Sequence, residues 1–247
     1  MTRTAIQPVD ATFTERAPAV RVQSLSKVID DRPILHEISF EVPDGRYVAL
    51  LGANGAGKST LLKVLATLIL PTAGEVFFFG RSQSRDTVGL RSKLGMIGHG
   101  AMLYRDLTAL ENLVFFGRLY RVADPGARAR ELLEYVGLAS RADDPVKTFS
   151  RGMVQRVSIA RALMHDPDLL LADEPFAGLD APSRAMLEAF LERLHDEGKT
   201  IILANHDIAQ SLALAGQVLV LRAGRLVVDR LTNGLEPDTI LAEVAAS

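Results

Sequence analysis

A glycine-rich run at positions 52–60, GANGAGKST, contains the residues of this sequence that are best suited to chemistry. Gly52, Gly57, Lys58 and Ser59 fit the pattern G-x-x-x-x-G-K-[ST]. In that pattern the glycines let successive backbone N–H groups point at phosphate oxygens. The lysine reaches the β- and γ-phosphates, and the hydroxyl that follows it binds Mg²⁺. The run therefore predicts a binding site for a nucleoside triphosphate.

A second reactive pair, Asp173 and Glu174, directly follows the apolar run Leu169–Ala172. Neighbouring residues of a strand point to opposite faces, so the two carboxylates can do different work. Asp173 is expected to hold Mg²⁺ through water, and Glu174 to orient and polarise the attacking water, as phosphoryl transfer requires. His206 follows another apolar run, TIILA, at the edge of an open α/β sheet where ligands gather. We expect His206 to sense the γ-phosphate.

Composition limits the class of protein. Hydrophobic residues make up 48% and charged residues 23%, which is ordinary for a globular chain. The net charge of −2 argues against nucleic acid as the main partner. The chain has no cysteine, so disulfides and thiolate metal sites are excluded. The first residues lack the apolar core of a signal peptide, and every apolar run is shorter than the ~18 residues of a spanning helix. We expect the chain to reach a membrane only by docking onto another chain.

Hydrophobic patterning places these residues on an α/β framework. The segment 20–48 alternates and has turn signals at Asp30-Asp31, which predicts short antiparallel strands. Tyr47–Leu51 reads as a buried strand before the glycine-rich run, and Lys58–Leu70 as a helix after it. Thr108–Tyr120 reads as a helix with a capping box. Further predicted elements are a strand at Glu75–Gly80, helices at Ala127–Val136, Ser150–Met164 and Ala181–Glu197, strands at Leu169–Ala172 and Thr200–Ala204, and a hairpin of Val218–Leu221 with Leu226–Asp229.

Taken in order, the motifs resemble those of the ATP-binding subunits of ABC transporters, from about Val20 to Asp229. The glycine-rich run is similar to the Walker A motif of that family, and LLLAD with Glu174 is similar to its Walker B motif and catalytic glutamate. The remaining matches are FSRGM at 149–153 with the signature motif (usually LSGGQ), Gly178–Asp180 with the D-loop, and His206 with the switch histidine.

The resemblance implies an α/β fold of the P-loop NTPase type. Its core would be a RecA-like mixed sheet, with an antiparallel β subdomain and an inserted α-helical subdomain. The implied boundaries are a flexible tail at 1–19, a single ATPase domain at 20–232 (core 20–98 and 166–232, helical subdomain 99–165), and a helical tail at 233–247.

The resemblance also implies an ATPase that uses ATP and Mg²⁺. Two copies would pack head to tail as a homodimer, with each ATP between the Walker A motif of one chain and the signature motif of the other. The start of the signature helix suits this role, because it offers a hydroxyl, free N–H groups and a helix dipole. The implied catalytic residues are Glu174, His206 and Lys58. The nucleotide would be held by Gly52, Asn54, Gly55, Ala56, Gly57, Lys58, Ser59, Thr60, Ile29, Ser150, Gly152 and Asp180, and the metal by Ser59, Asp173 and His99.

Three departures from the family pattern stand out. His99 occupies the position of a glutamine at the join between core and helical insertion. Ile29 occupies the position of an aromatic residue that stacks on adenine. Arg151 and Met153 replace the glycine and glutamine of the usual signature. Ser150 and Gly152 match the signature, and the resemblance implies that they contact the γ-phosphate.

Three runs are similar to those of the haem-exporter ATP-binding subunits of cytochrome c maturation: GHGAMLYRDLTALENLVFFGRLY from Gly98, FSRGMVQRVSIARAL from Phe149 and EPFAGLD from Glu174. In that subgroup a Gly-His pair and a Ser-Arg-Gly-Met signature are common. An exporter of a drug, lipid or polysaccharide is the near alternative. A soluble ATPase of the same superfamily, acting on ribosomes or DNA, is a further one, although it usually carries two cassettes or a long coiled coil. A P-loop kinase would not explain the signature helix. The exporter interpretation places the chain in the cytoplasm, peripheral on the inner face of the membrane, bound to integral membrane subunits and not to nucleic acid.

Ile29 leads to a prediction about base selectivity. Stacking of a base on an aromatic ring contributes roughly 1–3 kcal/mol, which an isoleucine does not supply. We therefore expect GTP to compete with ATP at comparable concentrations in an assay of ATP hydrolysis. Ile29→Tyr should restore the preference for ATP, whereas a strict preference in the natural chain would contradict the role of this position.

Overall fold

The computed structural model describes residues 17–98, 100–205 and 207–245, and within them the chain forms ten strands, eight α-helices and two short 3₁₀ helices (Ala139–Arg141 and Val146–Thr148). The strands are β1 (Val20–Ile29), β2 (Arg32–Val42), β3 (Tyr47–Leu51), β4 (Ala73–Phe78), β5 (Arg81–Ser82), β6 (Leu94–Ile97), β7 (Leu169–Asp173), β8 (Thr200–Ala204), β9 (Gln217–Arg222) and β10 (Arg225–Leu231). The helices are α1 (Lys58–Leu65), α2 (Thr87–Arg91), α3 (Ala109–Leu119), α4 (Pro125–Tyr135), α5 (Arg151–Ala162), α6 (Ala181–Asp196), α7 (Ile208–Leu214) and α8 (Pro237–Ala245).

The smaller sheet is antiparallel, with the strand order β2-β1-β4-β5. Asp30 and Asp31 form the turn between β1 and β2, both with positive φ, as the turn signal predicted. The apolar side of the sheet packs with α1 in one core cluster, in which Leu25, Leu61 and Leu62 are fully buried. This sheet is the antiparallel β subdomain expected from the sequence.

The larger sheet has the order β10-β9-β3-β8-β7-β6, and the five strands from β9 to β6 are parallel. Every residue of β3, β7 and β8 is buried, which explains their unbroken apolar sequences. Parallel strands present their carboxyl ends at one edge of a sheet. The glycine-rich loop after β3, Asp173 at the end of β7 and Asn205 after β8 therefore meet at that edge.

Helices α3, α4 and α5 form the helical insertion. The predicted capping box of α3 is confirmed, because Thr108 Oγ1 accepts from Glu111 N at 3.0 Å and Glu111 Oε2 accepts from Thr108 N at 2.8 Å. Leu113 of α3, Leu133 of α4 and Val157 of α5 are fully buried in the core cluster that also covers one face of the larger sheet. The helical insertion and the larger sheet thus share one hydrophobic core.

The structure differs from the sequence prediction in the length of α1 and in four elements that were not predicted, β5, β6, α2 and α7. Helix α1 ends at Leu65 and not at Leu70, because Thr67 adopts a left-handed conformation with φ of 57°. Arg91 holds that turn, since its guanidinium donates to Thr67 Oγ1 at 2.9 Å and to Thr67 O at 3.0 Å. Strand β6 was not predicted, because its four residues are too few to show a periodicity. The predicted tail at 1–19 lies mostly outside the described residues.

A hydrogen-bonded clamp joins the two sheets at the glycine-rich loop. Gly224, in the turn between β9 and β10, accepts from His36 N of β2 at 2.8 Å and donates to Ala56 O of the loop at 3.1 Å. A Cβ at Gly224 would lie 2.2 Å from Ile34 O, so only glycine fits. The loop is therefore fixed by an element far from it in sequence.

Gly224→Ala should lower the free energy of unfolding by about 2–4 kcal/mol, since it combines a positive φ with a backbone clash. Gly234→Ala is the matched control, because Gly234 has a similar φ of 78° and nothing within 4 Å of its Cβ position. That control should cost only about 1 kcal/mol. Urea unfolding followed by circular dichroism measures both values, and equal losses would contradict the clamp.

Candidate functional site

The glycine-rich loop wraps closely around the end of β9. Gly52 has a φ of 149°, and a Cβ there would lie 2.3 Å from Leu221 O. Ala56 is buried at 5% exposure, whereas Asn54 and Gly55 are exposed. Gly57 stands in the left-handed conformation immediately before α1, so the loop leads directly into the start of a helix. N–H groups at such a start are suited to binding anions.

Lys58 folds back into the loop. Its Nζ donates to Gly52 O at 2.7 Å and to Ala53 O at 3.1 Å, and the residue is only 5% exposed. Burial lowers the pKa of Lys58, and the negative charges of Glu174 and Asp173 partly counter that shift. The loop thus holds a partly desolvated ammonium group within reach of two carboxylates.

Ser59 of α1 and Asp173 of β7 are hydrogen-bonded to each other. Ser59 Oγ donates to Asp173 Oδ1 at 3.1 Å, and Asp173 is 4% exposed at the end of β7. Glu174 is half-buried and has a positive φ of 50°, which turns the chain sharply after β7. Its N–H donates to Ala204 O at 3.0 Å, and its carbonyl accepts from Ala177 N at 3.1 Å. The backbone of Glu174 is therefore fixed to the neighbouring strand.

Ser150 and Gly152 lie at the start of α5. Ser150 caps the helix, its Oγ accepting from Met153 N at 3.3 Å. In the part of the chain that the structure describes, no hydrogen bond joins Ser150 or Gly152 to the glycine-rich loop. Asp180 caps α6 and accepts from Ser183 N at 3.1 Å, and hydrogen bonds from Ser183 lower the pKa of its carboxyl group.

The remaining predicted residues fall into two groups. Thr60 lies in the first turn of α1, and Ile29 is 40% exposed where β1 ends at the tip of the hairpin. His99 and His206 both lie outside the described residues, so their expected roles stay predictions. Asn205, immediately before His206, is 8% exposed and donates to Gln210 Oε1 at 3.0 Å.

Comparison with known proteins decides the family. The sequence pattern of the family described as ABC transporter matches residues 35–177, more than half of the chain. The chain belongs to the ABC transporter family, as an ATP-binding domain. This domain binds ATP and is an ATPase. The P-loop NTPase fold, the ATP-binding subunit and the ATPase activity expected from the sequence are confirmed.

Proteins similar to this chain carry names that agree with an ATP-binding domain. The linearmycin resistance ATP-binding protein of Bacillus subtilis is 35% identical over 90% of this chain and 73% of its own length. The lantibiotic transport ATP-binding protein of Streptococcus pyogenes is 35% identical over 88% of this chain and 93% of its own. An aliphatic sulfonates import ATP-binding protein of Paracoccus denitrificans is 36% identical over 86% and 83%.

Solved structures agree as well. An ATP-binding subunit of an ABC transporter superposes with a TM-score of 0.83 at 28% identity, covering 92% of this chain and 99% of the other. A dimeric ATP-binding cassette in a post-hydrolysis state, bound to ADP and Pi, superposes with a TM-score of 0.80 at 28% identity, covering 87% and 100%. A third, from Clostridium perfringens and described as part of an ABC transporter complex, superposes with a TM-score of 0.76.

Sequence reasoning missed two supports of the site. It identified Ala223-Gly224 only as a hairpin turn, although Gly224 holds the glycine-rich loop. It treated Arg151 only as a departure from the family, although the Arg151 guanidinium lies directly against Gly178 of the D-loop. No local pattern shows either contact, because each joins segments far apart in sequence.

Lys58→Ala tests the glycine-rich loop. Removing the ammonium group should weaken ATP binding at least about 100-fold, because hydrogen bonds to charged groups are worth roughly 1.5–3 kcal/mol each. Lys63→Ala, which removes an exposed lysine from the same helix, is the control and should leave affinity unchanged. Titration calorimetry with ATP under conditions without hydrolysis gives both constants, and an unaltered affinity in the first variant would contradict the role of Lys58.

Proposed function

We propose that this chain is the energy-coupling subunit of a membrane exporter and that it hydrolyses ATP as a head-to-tail homodimer. One observation carries the proposal. The start of α5, at Ser150 and Gly152, is built to bind an anion, yet in the described part of the chain no hydrogen bond joins it to the glycine-rich loop of the same chain. A second copy with bound ATP would supply the phosphate that this helix start fits.

In the proposed ATP complex, Lys58 exchanges the carbonyl groups of Gly52 and Ala53 for the β- and γ-phosphates. Backbone N–H groups of Gly52, Asn54, Gly55, Ala56 and Gly57 would surround the phosphates, with Ser59 and Thr60 at the helix start. Ile29 would lie against the base. The proposal is supported by the buried ammonium of Lys58, which points back into the loop.

The residues present fit a Mg²⁺ ion. Ser59 Oγ and Asp173 Oδ1 lie 3.1 Å apart, and both are hard oxygen donors of the kind that Mg²⁺ prefers. Ser59 would bind the ion directly and Asp173 through water. When bound with ATP, Mg²⁺ neutralises charge on the phosphates. His99 is proposed as a further ligand from the resemblance alone.

Glu174 is the proposed base. Its carboxylate follows Asp173 by one residue, and its backbone is fixed to β8, so it can orient a water molecule without drifting from the metal position. His206 is proposed to contact the γ-phosphate. Asp180 opens α6 in the D-loop and is proposed to lie at the interface with the second copy.

The two-chain arrangement is supported by the solved structure of a dimeric cassette bound to ADP and Pi. The present chain superposes on that cassette over the whole of the cassette's length. Each Ser150 and Gly152 would close over the nucleotide held by the other chain. Isologous packing about a two-fold axis produces two such sites at once.

A groove beside the helical insertion is the proposed docking site for the membrane subunit. It has a volume of about 770 Å³ and is lined mainly by the segment Ala101–Arg105 together with Phe116, Phe149 and Arg151. Phe115 and Leu119 of α3 are 42% and 66% exposed, so these two apolar side chains lie at the surface and not in the core. Among the described residues, no helix is both long and apolar enough to span a bilayer. A position on the inner face of the membrane, through the groove, follows from the proposal.

The cargo belongs to the membrane subunit in this proposal. Export is supported by relatives named for linearmycin resistance and lantibiotic transport. Haem export rests on the resemblance of the runs around His99, Arg151 and Gly178 alone, and none of the relatives named above carries that function. An ABC ATPase acting on ribosomes or DNA remains the alternative of a different class, and failure to recover a membrane partner on purification from membranes would favour it.

Glu174→Gln tests the base and the dimer together. The variant should keep ATP binding, lose at least about 100-fold in kcat, and accumulate as an ATP-bound dimer, since general-base catalysis alone contributes 10²–10⁴-fold. Steady-state phosphate release and analytical ultracentrifugation with ATP measure these two properties.

Glu134→Gln, at an exposed carboxylate of α4, is the matched control and should retain activity. Adding Ser150→Ala to Glu174→Gln should weaken the dimer. A Glu174→Gln protein that hydrolyses ATP at the natural rate would contradict the assignment of the base. One that stays monomeric at saturating ATP would contradict the sandwich.

A further inference from the structure

Arg151 occupies an unusual position between two functional residues, Ser150 and Gly152. It is the first residue of α5, and its side chain reaches back onto the D-loop. A Cβ built at Gly178 would lie 2.6 Å from Arg151 Cζ, 2.8 Å from its Nε and 2.9 Å from one terminal nitrogen. The planar guanidinium therefore covers the backbone of Gly178, and a methyl group there would displace it.

The segment beneath this guanidinium is tied to Glu174. Ala177 N donates to Glu174 O at 3.1 Å, and Leu179 N donates to Phe176 O at 3.2 Å. Gly178, with a φ of 73°, lies inside this tight turn. The first of these hydrogen bonds ends on Glu174, so a displacement of Gly178 would be passed through its neighbour Ala177 to the residue that carries the proposed base.

Arg151 also borders two cavities. A small cavity of about 110 Å³ contains Glu174 and Ala177 on one side and Gln155 of α5 on the other. The large docking groove contains Tyr104 and Phe149. Ala101, Arg151 and Val154 line both. Among the described residues, Arg151 is the one charged side chain that faces both the groove and the cavity beside Glu174.

We propose that Arg151 is a positioning residue that transmits the filling of the groove to Glu174. An occupant of the groove restrains the guanidinium from one side, and the guanidinium holds the Gly178 turn from the other. Glycine at position 151 would remove this connection, because it has no side chain to span the two cavities. The inference rests on the proposed docking groove and on the proposed base, but it assigns to Arg151 no contact with ATP.

Steady-state kinetics of the full chain tests the contact with Gly178. Arg151→Ala should lower kcat about ten-fold and leave KM for ATP within about two-fold, because misplacing a catalytic group slows chemistry more than binding. Arg130→Ala, which removes an exposed arginine from α4, is the charge-matched control and should change neither. A loss confined to KM would overturn the proposal.

Gly178→Ala tests the same contact from the other side. The methyl group displaces the guanidinium, so this variant should also lose kcat. In the Arg151→Ala background the added methyl should cost less, because the clash with the guanidinium is gone and only the strain of the positive φ at Gly178 is left. Thermal melting of all four proteins identifies any variant whose fold is lost. Additive losses between folded variants would overturn the proposal.

A cysteine in the groove tests the transmission itself. The chain has no cysteine, so Tyr104→Cys provides a unique site for a bulky maleimide. Labelling should shift kcat at least about three-fold when Arg151 is present and less than about 1.5-fold in Arg151→Ala, following the logic of a double-mutant cycle. No shift in either background, or an equal shift in both, would overturn the proposal.

The two-chain site provides the last test. Dimerisation of Glu174→Gln with ATP should survive the addition of Arg151→Ala. Loss of that dimer would mean that Arg151 contacts the ATP of the second copy, and it would overturn the proposal. A Glu174→Gln protein that fails to dimerise while Arg151 is intact is a failure of the proposed sandwich, which distinguishes the two outcomes.

Discussion

The position of the phosphate loop depends on a pair of backbone hydrogen bonds made by Gly224. Its carbonyl binds β2 of the antiparallel sheet and its N–H binds Ala56 of the loop, so a single residue fixes the loop between the two sheets. Without that clamp, the loop would lose this hydrogen-bonded tie to the antiparallel sheet. With it, the loop starts from a set conformation, and Ser59 meets Asp173 at hydrogen-bonding distance. The entropic cost of ordering the loop is therefore part of the free energy of folding and not of the free energy of ligand binding.

Charge arrangement follows from the same geometry. Lys58 is desolvated inside the loop, and its charge is retained by two carbonyl groups and by two nearby carboxylates. Those carbonyls are acceptors that phosphate oxygens can replace without rebuilding the site. Asp173 and Glu174 follow each other in sequence, but the sharp turn at Glu174 sends the chain away from the strand. One short segment therefore supplies one carboxylate that is hydrogen-bonded to Ser59 and a second one that sits on a sharp turn.

Much of this arrangement could be predicted from the sequence. The strands β3 and β8 were placed at their observed bounds, because unbroken apolar runs flanked by glycines or polar residues are typical of buried parallel strands. The capping box of α3 was predicted because Thr108 and Glu111 interact within one turn. The end of α1 was not, since it depends on Arg91, which lies 24 residues beyond Thr67. The contacts of Gly224 and Arg151 could not be predicted either, because they depend on the packing of distant segments.

The strand order has a consequence for the synthesis of the chain on the ribosome. β3, which leads into the phosphate loop, pairs on both sides with strands from the last quarter of the sequence, and Gly45 is bonded to a residue 155 positions further on. The loop therefore emerges long before its neighbours exist. Such non-local pairing makes folding slow and leaves apolar strands exposed in the interval. Nucleotide cannot stabilise the nascent chain until β9 and its turn have been made, so ATP acts as a ligand only of the nearly complete domain.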